Sequence, residues 1–199
     1  MRTLVSRPGP GHLTMTRRAV LASAAFSALT APTIAKASVR SLDDDTVRRM
    51  MDLPWAISDR RSSPPAIHAL VTTTCPYSRA FMRDAYPNLI RSRSAALLLA
   101  AVEGESRTAV AGAALRRDAT VIQSAFVGRW PVDRDLSDEE FDAFNHAVRG
   151  TLLIREASVR AGFSAFIPSF VWARPDGRWR ITSGYSTPIW SLIMNDLSA

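Results

Sequence analysis

The feature that most constrains this chain is an apolar segment that leads into its only cysteine. Ala66 to Val71 is followed by Thr72–Thr74, then by Cys75 and Pro76. The apolar run predicts a buried strand, which the threonines continue because β-branched residues favour extended backbone. Proline has no amide hydrogen and a φ suited to a first helical turn, so a helix is expected from Pro76 to about Tyr86, ahead of the next proline.

The middle of the chain shows one further strand pattern and two helix patterns. Ala95 to Val102 is a second apolar run of strand length. Thr108 to Val127 repeats apolar residues at three- and four-residue spacing, which predicts one helix. Ser137 to Glu140 forms a capping box that begins another helix. Gly150 is expected to interrupt this last helix, and Gly162 is expected to end it.

The C-terminal third predicts a hairpin and a last helix. Ser169–Ala173 and Trp179–Thr182 have strand composition, and the turn between them, Arg174–Gly177, contains proline and glycine. Thr187 and Pro188 are typical of a cap and a first helical position. The resulting order, β, α, β, α, α, β, β, α, predicts an α/β sandwich with a central mixed sheet, a helical insertion and a C-terminal hairpin and helix.

The first 37 residues have the three parts of an export signal. Residues 1–37 carry five basic residues and no acid, with Arg17-Arg18 in a twin-arginine-like motif. A modestly apolar stretch, Ala19–Ile34, follows and ends in the A-x-A pattern of Ala35–Ala37. The alternative is an amphipathic helix of the folded domain. We expect a mature domain of residues 38–199 in the periplasm or outside the cell, without a membrane span; the export route, twin-arginine or general secretion, stays open.

Charge and metal-ligand content exclude several classes of function. Of the formal charge of +7, residues 1–37 contribute +5, and the rest carries 20 Arg against 18 acids, or +2. These charges are interspersed, so nucleic acid is not an expected partner. One cysteine excludes an intramolecular disulfide framework, and with three histidines a structural metal site is not expected.

Cys75 stands where a thiolate is favoured. A helix that begins directly after a strand offers unpaired first-turn N–H groups and the positive end of its dipole to the sulfur. Ser78 lies one turn further, where its hydroxyl is able to donate to the sulfur or to cap the helix. The alternative is an inert buried cysteine that acts as a small hydrophobe.

The motif Cys75-Pro76-Tyr77-Ser78 after a strand resembles the C-x-x-C active site of the thioredoxin superfamily, with serine in place of the second cysteine. Phe166-Ile167-Pro168-Ser169 resembles its cis-proline loop. By this resemblance Pro168 is cis, and Ile167 lines a substrate groove together with Pro76 and Tyr77. Most members of the superfamily have a small or hydroxyl residue where this chain has Ile167.

The C-terminal segment narrows the resemblance. Gly184-Tyr185-x-x-Pro188 after a hairpin is similar to the catalytic domain of bacterial periplasmic thiol:disulfide isomerases and related exported oxidoreductases. The resemblance covers about residues 66–197. It implies a thioredoxin-like fold in which a missing second cysteine prevents a complete dithiol cycle within one chain.

Two hypotheses for function follow. In the first, the protein is a monothiol thiol–disulfide oxidoreductase with Cys75 as nucleophile, Ser78 tuning the thiolate, and Pro76, Tyr77, Ile167 and Pro168 binding substrate. Its partners are protein thiols or disulfides, or an extended peptide, and a separate reductant. Glutathione is a candidate co-substrate, although no Gly-Gly-x-Asp segment follows the hairpin to hold it. No other cofactor and no metal are expected.

In the second hypothesis the fold is a non-catalytic peptide- or protein-binding module. Its groove is lined by Phe166, Ile167 and either Trp172 or Trp190, and the cysteine is vestigial or tethers a partner. A hydrolase is disfavoured because the chain has no G-x-S-x-G motif and His68 lies inside an apolar strand, where a hydrogen-bonded core histidine is expected.

Overall fold

The computed structural model describes residues 39–58, 65–130 and 132–199. The predicted export signal, residues 1–37, lies outside the described residues. No helix in the described ranges is both long enough and apolar enough to span a membrane.

A six-stranded mixed sheet with the order β1-β6-β5-β3-β4-β2 is the centre of the fold. Its central strand, β3, runs parallel to β4, with Ile67 opposite Ala95, and antiparallel to β5, with Ile67 opposite Trp172. Every residue of β3 and β4 is buried, since both faces of the sheet are covered. The strands are β1 (Arg40–Ser41), β2 (Ala56–Ile57), β3 (Ile67–Val71), β4 (Ala95–Leu99), β5 (Ser169–Ala173) and β6 (Trp179–Ser183).

Seven α-helices flank the described sheet. They are α1 (Asp44–Met51), α2 (Pro76–Ala80), α3 (Tyr86–Ser92), α4 (Arg107–Arg116), α5 (Ala119–Phe126), α6 (Asp138–Arg160) and α7 (Thr187–Asp196). The parallel pair β3–β4 is joined by α2 and α3, β5 and β6 form a hairpin, and α4 to α6 are inserted between these two units. The predicted α/β class, with a helical insertion and a C-terminal hairpin and helix, is confirmed.

The sequence predicted that the helix after Cys75 ends before Pro87. In the structure the helical path continues through Pro87. A π-helical turn, Phe81–Ala85, joins α2 to α3, and the Tyr86 amide donates to the Phe81 carbonyl. Pro87 then lies in the first turn of α3, where an amide hydrogen has no intrahelical partner. The wide turn therefore lets the helical path continue through the proline to Ser92.

The predicted helix over 108–127 is two helices. Arg117 ends α4 in the left-handed conformation, with φ of 51°. Asp118 then caps α5 by accepting a hydrogen bond from the Thr120 amide at 2.8 Å. An apolar periodicity that continues across the junction concealed this change of direction.

The helix α6 runs through Gly150 without interruption, contrary to the prediction. A Cβ atom at Gly150 would lie 2.9 Å from Leu98 Cδ2 and 3.2 Å from Leu53 Cδ2, so glycine permits close packing on β4. The next residue, Thr151, is also helical, and its hydroxyl donates to the Ala147 carbonyl at 2.9 Å.

The predicted ends of α6 are confirmed, and the start of α7 is displaced by one residue. The capping box of Ser137 and Glu140 is present, and Gly162 follows the helix with φ of 83°. The cap of α7 is Ser186, whose hydroxyl accepts from the Ile189 amide, and Thr187 is the first helical residue.

Candidate functional site

The fold brings Cys75 and the loop before β5 into contact. Cys75 is the N-cap of α2, with φ of −90° and ψ of 125°, and its side chain is half-buried. Its Sγ donates a hydrogen bond to the Ile167 carbonyl oxygen at 2.9 Å. The resemblance implied a cis bond in this loop, and the Ile167–Pro168 bond is cis. Two segments 92 residues apart in sequence therefore form one site.

The sulfur faces a carbonyl group rather than the amides of α2. Among the described residues, the Cys75 side chain makes no capping hydrogen bond to the first turn, contrary to the expectation from its position. The bond to Ile167 uses the proton of the thiol, which a thiolate lacks.

Ser78 connects the helix start to the end of β3. Its side chain is fully buried, and its hydroxyl accepts a hydrogen bond from the Thr72 amide at 3.3 Å. This contact holds the first turn of α2 against the strand. The neighbouring motif residues face outward: Pro76 is exposed, and Tyr77 is 59% exposed.

A carboxylate that the sequence analysis did not identify holds the loop before Cys75. Glu105 Oε2 accepts from the Thr72 hydroxyl and from the Thr73 amide, both at 2.6 Å. Glu105 Oε1 accepts from the Thr73 hydroxyl at 2.7 Å. Thr72 and Thr74 also share a hydrogen bond between their hydroxyls at 2.9 Å.

The composition of Thr72–Thr74 predicted that they extend β3, but the strand ends at Val71. The contacts with Glu105 explain this difference. The Glu105 carboxylate supplies acceptors that a neighbouring strand would otherwise provide, so β3 ends at Val71 and a turn carries the chain to Cys75. No local pattern indicated Glu105, because it follows β4 and is more than 30 residues away. A carboxylate beside a run of hydroxyl residues is recognisable only once the fold is known.

The surface near the sulfur is partly apolar. Phe166 is 65% exposed, Ile167 is half-buried, and Pro168 is buried. The Pro168 carbonyl accepts from the Gly184 amide at 2.7 Å, which ties the loop to the end of β6. Pro168 therefore holds the loop in place through its backbone carbonyl, and its ring is not accessible at the surface.

The two tryptophans considered for a groove differ in their burial. Trp172 is fully buried, and its Nε1 donates to Asp196 Oδ2 at 3.0 Å. Trp190 is half-buried among aromatic rings, with centroids 5.6 Å from Phe81 and 6.1 Å from Phe170. The prediction of Trp172 as a groove wall is therefore wrong, whereas the alternative, Trp190, stays a prediction.

His68 is a core residue, as the sequence suggested, but it is not fully hydrogen-bonded. It lies in β3 between two indoles, with ring centroids 4.9 Å from Trp55 and 5.6 Å from Trp179. Its Nδ1 is buried and has no hydrogen-bond partner among the described residues. Burial lowers the pKa of His68 to about 4, so the ring is neutral at physiological pH.

The described residues contain no group of three or more His, Cys, Asp or Glu side chains placed to hold a metal ion. The polar atoms around Cys75 instead form a hydrogen-bonded frame for a single thiol.

No protein-family model matches this sequence, and no curated protein matches it either. Among solved structures, the chain is similar to a periplasmic thioredoxin-like protein from Salmonella enterica serovar Typhimurium, with 11% identity, 80% of this chain and 100% of that chain covered, and a TM-score of 0.49.

Two further similar structures are the catalytic domain of Proteus mirabilis ScsC and the thiol-disulfide exchange protein alpha-DsbA2 from Wolbachia pipientis. The first has 14% identity, covers 78% of this chain and 96% of that chain, and has a TM-score of 0.48. The second also has 14% identity, covers 76% of this chain and 91% of that chain, and has a TM-score of 0.46.

The topology of the chain itself determines its fold type. Strands β3 and β4 are a parallel pair joined by helices, β5 and β6 are an antiparallel hairpin followed by α7, and the order of these four is β6-β5-β3-β4. Cys75 begins the helix after the first of these strands, and the Ile167–Pro168 loop precedes the third. The fold of this chain is thioredoxin-like.

Proposed function

We propose that this chain is an exported monothiol exchange protein in which Cys75 is the nucleophile. The observation that carries the proposal is the position of its half-buried sulfur, 2.9 Å from the Ile167 carbonyl at the backbone edge that leads into β5. An extended peptide that adds to this edge as a strand would bring a cysteine of its own to the sulfur.

The proposed reaction is a thiol–disulfide exchange. The Cys75 thiolate attacks one sulfur of a substrate disulfide, a new S–S bond forms, and the other substrate sulfur leaves as a thiolate. Because the sequence has one cysteine, release of the mixed disulfide requires a second thiolate from outside the chain. That thiolate attacks the substrate sulfur of the mixed disulfide, returns Cys75 to the thiolate, and becomes part of the new disulfide. Glutathione or a protein thiol meets this requirement.

The surrounding residues have distinct proposed roles. Tyr77, Phe166 and Ile167 provide apolar contacts for the segment that carries the substrate disulfide; Tyr77 and Phe166 are exposed and Ile167 is half-buried. Ser78 and Pro168 act from the interior, by fixing the helix start and the proline loop. Pro76 begins α2 immediately after the nucleophile and leaves its ring exposed to substrate.

The compartment in this proposal rests on the sequence of residues 1–37. A basic front, a modestly apolar middle and an A-x-A exit direct export. An oxidising compartment would supply substrate disulfides, and it would also require a dedicated source of thiols to regenerate Cys75.

One observation favours the second candidate, a non-catalytic binding module. The resting thiol is engaged with the Ile167 carbonyl and not with the amides of α2. If this hydrogen bond persists, the sulfur stays occupied by the Ile167 carbonyl, and the exposed Tyr77 and Phe166 bind a peptide without exchange.

An exchange assay distinguishes the two candidates. The folded protein is mixed with an excess of a disulfide-linked peptide that has apolar residues next to its cysteine, and intact mass is followed with time. Exchange chemistry predicts one peptide adduct per chain, located at Cys75 and removed by added glutathione. The matched control is Cys75→Ser, which binds the peptide but forms no adduct.

The exchange hypothesis fails if the Cys75 adduct forms only in the unfolded protein. If Cys75 forms no adduct in the folded protein but does so after unfolding in urea, the sulfur is chemically competent and the fold suppresses it. Peptide binding without an adduct would then establish the binding module.

A further inference from the structure

The longest helix carries apolar side chains on its outer face. Although the inner face of α6 packs on the rest of the domain, Phe141, Leu152 and Val159 are 49%, 59% and 57% exposed. At 100° per residue, these three positions lie within ~20° of one another around the helix axis. They form a straight stripe that points away from the core, which we call the α6 stripe. Clustered apolar exposure of this kind marks an interaction surface more often than a solvent-facing helix.

The spacing of the apolar residues in the α6 stripe is symmetric about the middle of the helix. The half-buried Val148 lies within ~20° of Phe141 and completes it, so apolar residues stand at 141, 148, 152 and 159. The intervals are seven, four and seven residues, which makes the pattern symmetric about residue 150. A twofold interface uses one patch on both copies, so it requires a patch that is complementary to itself.

An antiparallel pair of α6 helices satisfies this symmetry. With residue 150 of each copy at the twofold axis, Phe141 of one copy lies opposite Val159 of the other, and Val148 lies opposite Leu152. The remaining stripe positions pair Asn145 with Arg155. Each apolar side chain therefore meets an apolar side chain across the helix pair.

The charges along α6 also favour the antiparallel arrangement. The first half of the helix carries the exposed acids Asp138 and Asp142, and the last turn carries Arg160. In the antiparallel pair, Arg160 of each copy falls between Asp138 and Asp142 of the other. Within its own chain, Arg160 contacts Glu156 at 3.9 Å and donates a hydrogen bond to the Thr46 hydroxyl at 3.4 Å, and both contacts are long. Antiparallel helices also place opposite ends of their dipoles side by side.

We propose that this protein forms a twofold homodimer through antiparallel pairing of α6 along the α6 stripe. A second copy fits the surface better than a lipid bilayer does, because helices that lie on membranes carry basic flanks, whereas α6 exposes the acids Asp138, Asp142 and Glu156 together with its arginines. The contact is one helix pair of about 34 Å in length, so the interface belongs to the small, reversible class. The proposal is independent of the chemistry at Cys75.

The first test measures the mass of the full chain by sedimentation up to ~100 μM protein. We expect a reversible dimer, and Leu152→Glu is expected to raise its dissociation constant at least ~30-fold. Val127→Glu is the matched control, since Val127 is 64% exposed and lies outside the stripe. Circular dichroism verifies that both variants are folded. A monomeric wild type, or equal effects of the two substitutions, would overturn the proposal.

The second test examines the register by oxidative cross-linking in a Cys75→Ser background. In the antiparallel pair, position 145 faces 155 of the other copy, whereas 145 is separated from its own counterpart by about 15 Å along the axis. A mixture of Asn145→Cys and Arg155→Cys chains is therefore expected to cross-link, and neither variant is expected to do so alone. Cross-linking of either variant with itself contradicts the antiparallel register.

One more variant, Leu152→Cys in the Cys75→Ser background, identifies other occupants of the surface. If the full chain is a monomer and the Leu152→Cys thiol is protected from alkylation, another segment of the chain covers the face. If the chain is a monomer and that thiol reacts freely, the face is open. Either result overturns the dimer.

Discussion

Acid should destabilise this protein through His68 in particular. The ring is 5% exposed between two indoles, and its Nδ1 lacks a hydrogen-bond partner among the described residues. Burial lowers the pKa of His68 from 6.5 to about 4, because a protonated imidazole loses its hydration without gaining a counter-charge.

The sign and size of the acid destabilisation follow from the difference between the pKa of His68 in the unfolded chain and its pKa in the folded protein. Below pH 6.5 the unfolded chain binds a proton at His68 and the folded chain does not, so stability falls as pH falls. The loss continues until about pH 4, where the folded protein also binds the proton. At about 1.4 kcal/mol for each pH unit, the free energy of unfolding decreases by about 3 kcal/mol across this window.

The assay is urea unfolding followed by tryptophan fluorescence from pH 7.5 to pH 4, for the wild type and for His68→Leu. Carboxyl groups such as Asp176 also titrate, with a pKa lowered to about 2 by its hydrogen bonds with Arg178, but they are common to both proteins. The difference in unfolding free energy between the two proteins therefore isolates His68, and it should change by about 3 kcal/mol in favour of the variant as pH falls.

A control on another histidine makes the test specific. His146 is less deeply buried, and its pKa is also lowered, chiefly by desolvation. His146→Gln should alter the pH dependence less than His68→Leu does. Parallel stability curves for the wild type and His68→Leu would refute the reasoning, as would an imidazole NMR titration of His68 in the folded state near pH 6.5.

Three further substitutions test the frame around the site and the packing beneath it. Glu105→Gln should lower the free energy of unfolding by about 2 kcal/mol, because the amide cannot accept all the hydrogen bonds of the carboxylate. The same substitution should slow adduct formation at Cys75. The control in both assays is Glu139→Gln, at an exposed position. Ser78→Ala should cost about 1–3 kcal/mol in urea unfolding, since it leaves the buried amide at the end of β3 without its acceptor; an unchanged midpoint would contradict that role. Gly150→Ala should destabilise by about 1–3 kcal/mol in thermal or urea unfolding despite the higher helix propensity of alanine, because the added methyl would meet a leucine side chain at 2.9 Å; a gain in stability would show that β4 yields to it.

Several elements were predictable because their determinants are close together in sequence. The capping box of Ser137 and Glu140 closes within four residues, and the turn at Gly177 requires a φ of 80° that glycine adopts freely. The buried strand and the helix start on either side of Cys75 depend on an apolar run and on a proline. Each of these signals acts over one or two turns of chain, so competing tertiary contacts did not override it.

Other features depended on contacts that local patterns do not contain. Gly150 suggested a break by its low helix propensity, whereas in the fold it permits α6 to approach Leu98. Pro87 suggested a stop, but a π-helical turn gave it a first-turn position. At Gly150 the packing of α6 on the sheet outweighed a local preference of about 1 kcal/mol, whereas at Pro87 the π-helical turn removed the conflict by placing the proline in a first turn.

The sequence by itself determined the α/β class and the place of one thiol at the start of a helix, because hydrophobic period and turn chemistry are local properties. Only the tertiary structure decided what surrounds that thiol. It turned the sulfur towards the Ile167 carbonyl, 92 residues away, and it brought the Glu105 carboxylate to the loop before Cys75. Hydrogen bonds between distant segments depend on how strands and loops meet in space, and that information belongs to the whole chain rather than to any stretch of it.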